Sequence, residues 1–229
     1  MGAKQKKSPK RERTRATPPA SGAFNYWVNF VLYAVTGHLA QADALVAQHG
    51  GDVLRVSRWM MGQRPVAIGV LYRGVLIEPG KLDRGWLEHE EERRFLSYSE
   101  DKSVACWFAD PASIISETVV EKYPASQGYL IKGRVPTSKV LWHHDWMQVE
   151  VPGAGVLPLA MAAALHPDID EGQFIWNAAT QREVITQPPG RKGAKLRVFS
   201  IESEGCPDSD ELDARFAYPP YVASRWGDG

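Results

Sequence analysis

The run 65-PVAIGVLYRGVLI-77 constrains the fold more than any other stretch of this chain. It is apolar, rich in β-branched residues and nearly continuous, the pattern of a strand covered on both faces. In its middle stands Arg73, and a guanidinium inside an apolar strand has to be given a partner. Ahead of it, Trp27, Phe30, Val31, Ala34 and Val35, then Leu39, Ala42 and Leu45, keep the i, i+3, i+4 rhythm of one helix over 24–48. His49-Gly50-Gly51 is its expected stop, and 52–62 fits no single state.

Beyond the central strand, 86-WLEHEEERR-94 reads as a solvated acidic face. Residues 95–99 alternate like a strand. A helix then begins after Ser99, which is placed to cap it, with Glu100 and Asp101 in the first turn and Val104, Ala105, Phe108 and Ala109 as the buried stripe. Further strands are expected at 128–135, 138–145, 147–151, 181–186 and 194–202, with a short helix over 157–165. Early helices followed by several short strands predict an α+β fold with one core of two packed sheets.

The balanced net charge conceals an asymmetry. Residues 1–15 hold seven of the 27 Lys and Arg and a single acid, whereas the remaining 214 residues carry 20 basic and 26 acidic side chains. This opening segment has no apolar content for a core, so 1–22 is expected to be a disordered basic tail: a nucleic-acid-attracting arm, a partner-binding tail or a solubilising end. It does not read as a secretory signal, and the apolar run 26-YWVNFVLYAV-35 is too short to cross a bilayer. Cys106 and Cys206 form no CxxC and no His/Cys cluster, which predicts neither a disulfide framework nor structural zinc, and a reducing cytoplasm. His143-His144-Asp145 would place neighbouring strand residues on opposite faces, so no metal is expected there. The loop 166-HPDIDEG-172 lacks a calcium pattern, and 189-PGRKG-193 fits a hairpin. No phosphate-cradling glycine loop is present, so any phosphate has to be held by side chains such as Arg73.

The stretch 174-FIWNAATQREVIT-186 puts Gln181 and Glu183 two apart where a strand begins, so both should share a face there, beneath a loop bearing Phe174 and Trp176. Alone, this is a solvent-facing polar stripe. It follows 71-LYRG-74 and a 97-SYS-99 turn leading into an Ala-x-x-Phe helix. That order resembles the Arg–Ser–Glu class of ADP-ribosyltransferases, which includes clostridial exoenzymes, arginine-specific transferases, pierisin-like enzymes and phage modifying enzymes. The resemblance spans about residues 65–202, including the strand, glycine-containing turn and strand of 183–202.

The resemblance implies two packed, mainly antiparallel sheets around an NAD cleft with flanking helices. It sets 23–205 as the transferase domain and 206–229 as an extension packing on its surface. It implies NAD⁺ as co-substrate, no metal, no membrane, a monomer and a macromolecular acceptor, acting in a cytoplasm that could be a host's. Glu183 would supply the negative charge beside the ribose, and Arg73 would fork onto a phosphate. Ser97 would position Glu183, while Gly74 and Ser99 would complete the NAD site. Tyr98 stands where the family's motif has threonine. Gln181 would orient the acceptor, with Trp176 and Phe174 on a substrate-recognition loop. Gln-x-Glu in place of Glu-x-Glu points away from arginine and toward an amide or a nucleobase, with the basic tail favouring nucleic acid. Transfer to a protein side chain, NAD hydrolysis, and a basic-tailed nucleic-acid-binding protein are the alternatives.

Overall fold

The computed structural model describes residues 17–78, 80–81, 93–188 and 196–219. In chain order these form α1 (Ser21–Val35), α2 (Leu39–Gln63), β1 (Leu71–Ile77), β2 (Leu96–Ser99), α3 (Lys102–Ala109), α4 (Glu117–Lys122), β3 (Gln127–Gly133), β4 (Val140–His143), β5 (Gln148–Val151), β6 (Gly155–Pro158), α5 (Leu159–Ala164), α6 (Glu171–Thr180), β7 (Glu183–Thr186), β8 (Arg197–Ser200), α7 (Ile201–Glu204) and α8 (Ser209–Phe216). The readings made for the tail up to residue 16, the acidic stretch 86–92 and the 189–193 hairpin lie outside the described residues. No described helix is long and apolar enough to cross a membrane.

The apolar rhythm of 24–48 builds two helices rather than one. Gly37, at φ +81°, closes α1 in the left-handed conformation that glycine adopts without a Cβ penalty. The expected stop at Gly50-Gly51 is instead carried through α2, with a kink at His49. Two helical glycines cost about 1 kcal/mol each. Beyond them Val53, Val56 and Met60 are fully buried, and each such burial contributes about 1.5–3 kcal/mol. Packing therefore outweighs the local signal, and 52–62 is helical.

The fold is mixed α/β with an antiparallel sheet of order β4-β7-β2-β1-β3-β8, and a separate β5–β6 hairpin. In place of two packed sheets, the six strands divide into two halves. β1 and β3 share seven partner pairs and β2 and β7 share four, whereas β1 and β2 meet only at Tyr72↔Ser99. This single-rung seam is where the motif residues gather. The run beginning at Pro65 becomes a strand only at Leu71, and Tyr72, Arg73 and Gly74 are half-buried and line the opening at the seam.

Two apolar cores flank the sheet among the described residues, beside a small cluster of Val75, Ile77 and Ile131. The larger joins α1, α2, α5 and α6 to β2, β4 and β7, with Trp27, Trp142, Trp146 and Phe174 fully buried in it. The smaller holds α3, Leu130 of β3, and Leu212 and Phe216 of α8. The segment after Cys206 therefore completes a core: the Trp107 indole N–H donates to Asp213 Oδ1 at 2.7 Å.

Cys106 of α3 and Cys206 are disulfide-bonded, which corrects the expectation of free thiols. Sequence spacing carries no sign of the bond, because 100 residues separate the two cysteines and only the fold brings their Cα atoms to 5.7 Å. Such a bond fits an oxidising compartment better than the expected reducing cytoplasm.

Candidate active site

The seam between β1 and β2 opens into a cleft of about 770 Å³, within the range of cofactor-sized pockets. Arg73, Gly74, Ser97, Ser99, Gln181 and Glu183 all line it. They reach it from three strands and a turn. β1 supplies Arg73 and Gly74, β2 supplies the serines, and β7 opens on Glu183, paired with Ser99.

Glu183 is the centre of the polar network. Its side chain is only 7% exposed, and the Ser97 hydroxyl donates to its Oε1. Arg73 Nη1 donates to the Ser97 carbonyl at 2.9 Å, so Arg73, Ser97 and Glu183 form one connected unit. Glu183 Oε2 is buried with no hydrogen-bond partner among the described residues. Burial pushes the Glu183 carboxyl up to about 7, against the opposing pull of the Ser97 hydrogen bond and the Arg73 charge. A buried carboxylate oxygen without a donor, at the wall of a cleft, is a group awaiting a ligand hydroxyl or cation.

Gln181 and Glu183 both face the cleft, but not as strand neighbours. Gln181 is the C-cap of α6, Arg182 takes φ +45°, and the strand starts at Glu183. A left-handed arginine is strained by roughly 1–2 kcal/mol. Two hydrogen bonds hold the turn there: Glu100 N donates to Arg182 O at 3.2 Å, and the Ser99 hydroxyl donates to Gln181 O at 2.6 Å. Ser99 also accepts from Asp101 N at 2.9 Å, so its hydroxyl fixes the turn. The cap of α3 is Asp101, which accepts from Ser103 N, and not Ser99 as expected.

Gly74 lines the cleft, yet the close approach it permits is that of a helix. A Cβ there would collide with the Ala105 carbonyl oxygen and lie 2.7 Å from Ala109 N. Gly128 on β3 admits the same helix, since a Cβ would strike the Ala109 carbonyl.

Phe174 and Trp176 do not sit on a recognition loop. Both belong to α6, capped by Asp170, in which Phe174, Asn177 and Ala178 form the buried stripe. Phe174 is core, and Trp176 is half-buried with its indole N–H donating to Phe216 O at 3.2 Å. The small residues 177–180, read as a turn, continue the helix instead. The cleft wall also includes Tyr72 of the 71–74 motif, and Asn177 and Tyr218, which the motifs did not single out. The i, i+3, i+4 spacing of Phe174, Asn177 and Ala178 is the signal that would have found Asn177, whose side chain donates to Val35 O at 2.9 Å. Tyr218 follows the α8 core helix, and nothing local marks it.

His143 and His144 do not face opposite sides. β4 ends at His143, and the two rings stack with centroids 4.3 Å apart. Burial first, and then the His144 charge, hold the His143 imidazole below the usual histidine range.

The chain matches no protein-family model, no curated protein and no solved structure.

Proposed function

We propose that this chain is an NAD⁺-dependent mono-ADP-ribosyltransferase with an ADP-ribosyltransferase fold. The observation that carries the reading is the connected unit of Arg73, Ser97 and Glu183, residues 110 positions apart at the extremes, lining one cleft. NAD⁺ presents a glycosidic bond to a cationic nicotinamide, whose cleavage leaves positive charge on the ribose. Glu183 lies ready to stabilise that charge and to accept the ribose 2′-hydroxyl on its unpartnered Oε2. The approaching cationic ring favours the ionised carboxylate, and so offsets the burial that raises Glu183 toward 7. Ser97 holds the carboxylate in place, and Arg73 receives a phosphate at the mouth of the same network.

The balance is simple. The C1′–N bond breaks, and nicotinamide leaves neutral with the bonding pair. A lone pair of the acceptor forms the new bond at C1′, and the acceptor's proton passes to water. Gln181 orients the acceptor through an amide that both donates and accepts, which suits an amide or a nucleobase. With Trp176 tied to Phe216, the preference for nucleic acid rests on the basic N-terminal segment.

The test is nicotinamide release from NAD⁺ by the full chain and by its Glu183→Gln variant. Release by the wild type, reduced about 10²–10³-fold in the variant, is the expected result. No release from the wild type, or equal release from both, removes the proposal.

A further inference from the structure

Outside the cleft, three ligand-type side chains meet where β4 and β2 end. Because His144 belongs to the turn after β4, both imidazoles point toward Glu100, the residue following β2. His144 Nε2 lies 3.1 Å from Glu100 Oε2, and His143 Nε2 lies 3.7 Å from Oε1. Asp145 stands behind the rings, with Oδ1 3.3 Å from His144 Nδ1 and Oδ2 3.5 Å from His143 Nδ1. We propose that Glu100, His143 and His144 bind a transition-metal dication of the zinc type, with Asp145 orienting both imidazoles.

Three features carry this. One ligand atom from each residue lies within 4.8 Å of the others, so a contraction on the order of 1 Å brings them to zinc-bonding distance. Two imidazoles and a carboxylate are a donor set that zinc accepts, with a fourth position left for water. Behind this donor set the Asp145 carboxylate oxygens lie 3.3 and 3.5 Å from the distal ring nitrogens, in reach of the ring protons that metal-bound histidines carry there. The third feature is burial. His143 is 2% exposed, and its Nε2 has no hydrogen-bond partner among the described residues while pointing into the cluster. The Asp145 amide donates to His143 Nδ1 at 3.1 Å, which keeps the single ring proton on Nε2. On binding, the ring gives up the Nε2 proton and takes one at Nδ1, and the bond from the Asp145 amide gives way to one from Nδ1–H to the Asp145 carboxylate, 3.5 Å away.

The place of the site gives it a role independent of how the cleft is read. Glu100 N donates to Arg182 O at 3.2 Å, and His144 N donates to Glu183 O at 3.1 Å. Two carbonyls of the strained turn 181–183, those of Arg182 and Glu183, are therefore bonded to the residues that would hold the ion. Arg182 Nη2, 3.5 Å from Glu100 Oε2, is the cation that the metal would displace. The ion acts as a clamp behind the turn and takes no part in bond making.

The experiment titrates the chelator-treated full chain with Zn²⁺ by calorimetry, with Mg²⁺ as contrast, and records the visible spectrum with Co²⁺. Expected are one Zn²⁺ per chain with Kd on the order of 1 µM or tighter, no Mg²⁺ uptake and a Co²⁺ band of a four-coordinate site. His144→Asn and Glu100→Gln should each weaken Zn²⁺ at least about tenfold, and Asp145→Asn about tenfold, while His166→Asn should not. Absence of Zn²⁺ binding by the wild type, which needs no variant to fold, overturns the proposal. Equal Zn²⁺ affinity in wild type, His144→Asn and Glu100→Gln overturns it too.

Discussion

The Ser97 hydroxyl donates to the Glu183 carboxylate from 86 residues away, across the pairing of β2 with β7. The bond joins a buried acid to the one strand that meets the other half of the sheet. It also sets an electrostatic conflict: burial disfavours the charge on Glu183, whereas Ser97 and Arg73 favour it. A carboxylate held in such a site works against stability.

Glu183→Gln should therefore stabilise the fold at alkaline pH. The folded-state value is raised from 4.5 to about 7, so the folded chain holds this proton more tightly than the unfolded one. Glu183's contribution is fully present below pH 4.5, is lost as pH rises through 7 and is flat above. At pH 8 the variant should gain on the order of 3 kcal/mol over wild type, and at pH 4.5 the gain should be close to nil. Thermal or urea unfolding of both chains at the two pH values measures it. A difference that does not change with pH would show that burial of this charge is not what strains the site.

Ser97→Ala removes one of the two groups that lower the Glu183 carboxyl, so the acid should titrate above 7. Nicotinamide release at neutral pH should fall about tenfold or more, the worth of a hydrogen bond to a charged group. The loss should shrink as pH is raised, because the carboxylate ionises later but still ionises. The measurement is kcat/KM against pH for both chains. Superimposable profiles that differ only in height would assign Ser97 a purely steric role.

Cys206→Ser should cost about 2–5 kcal/mol, since the bond closes a loop of about 100 residues. The same bond anchors the segment leading to α8 and to Ala217 and Tyr218 at the cleft wall. KM for NAD⁺ should therefore rise more than kcat falls. Reductant should bring the wild type to the variant's stability and leave the variant unchanged, as a melting series with and without dithiothreitol would show.

What could be read from the chain and what could not divide along physical lines. The strands bearing Arg73, Ser97 and Glu183 were legible because strand alternation and β-branched runs are local, whereas the three residues were brought together only by the resemblance of their ordered motifs. Gly74 was legible as part of the strand motif, but the helix that requires a glycine there was not, because the collision with Ala105 depends on where α3 crosses the sheet. Gly37 ends a helix and Gly50-Gly51 does not, a choice made by the burial of Val53, Val56 and Met60. The helix bearing Phe174 and Trp176 was missed because 177–180 combines turn-like composition with the helix-forming Ala178-Ala179. The disulfide and the stacking of His143 on His144 depend on contacts that no spacing rule contains.

Gln181→Ala should separate transfer from hydrolysis. Gln181 lines the cleft beside Glu183, yet its backbone is fixed independently of its side chain, through Ser99 Oγ to Gln181 O and Gln181 N to Asn177 O at 2.9 Å. Removing the amide should leave the turn and Glu183 in place, so slow cleavage of NAD⁺ by water should persist within a few-fold of wild type. Transfer should fall by about 10² or more, because nothing then orients the acceptor for attack at C1′. Labelled NAD⁺ with a cell lysate, divided between protease and nuclease, identifies the acceptor class in the same experiment. With nucleic acid as acceptor, the label resists protease and transfer falls steeply with salt, the signature of a basic segment meeting a polyanion. Label on a protein asparagine would move the acceptor to protein and keep Gln181 in its role, whereas label on arginine would remove that role altogether.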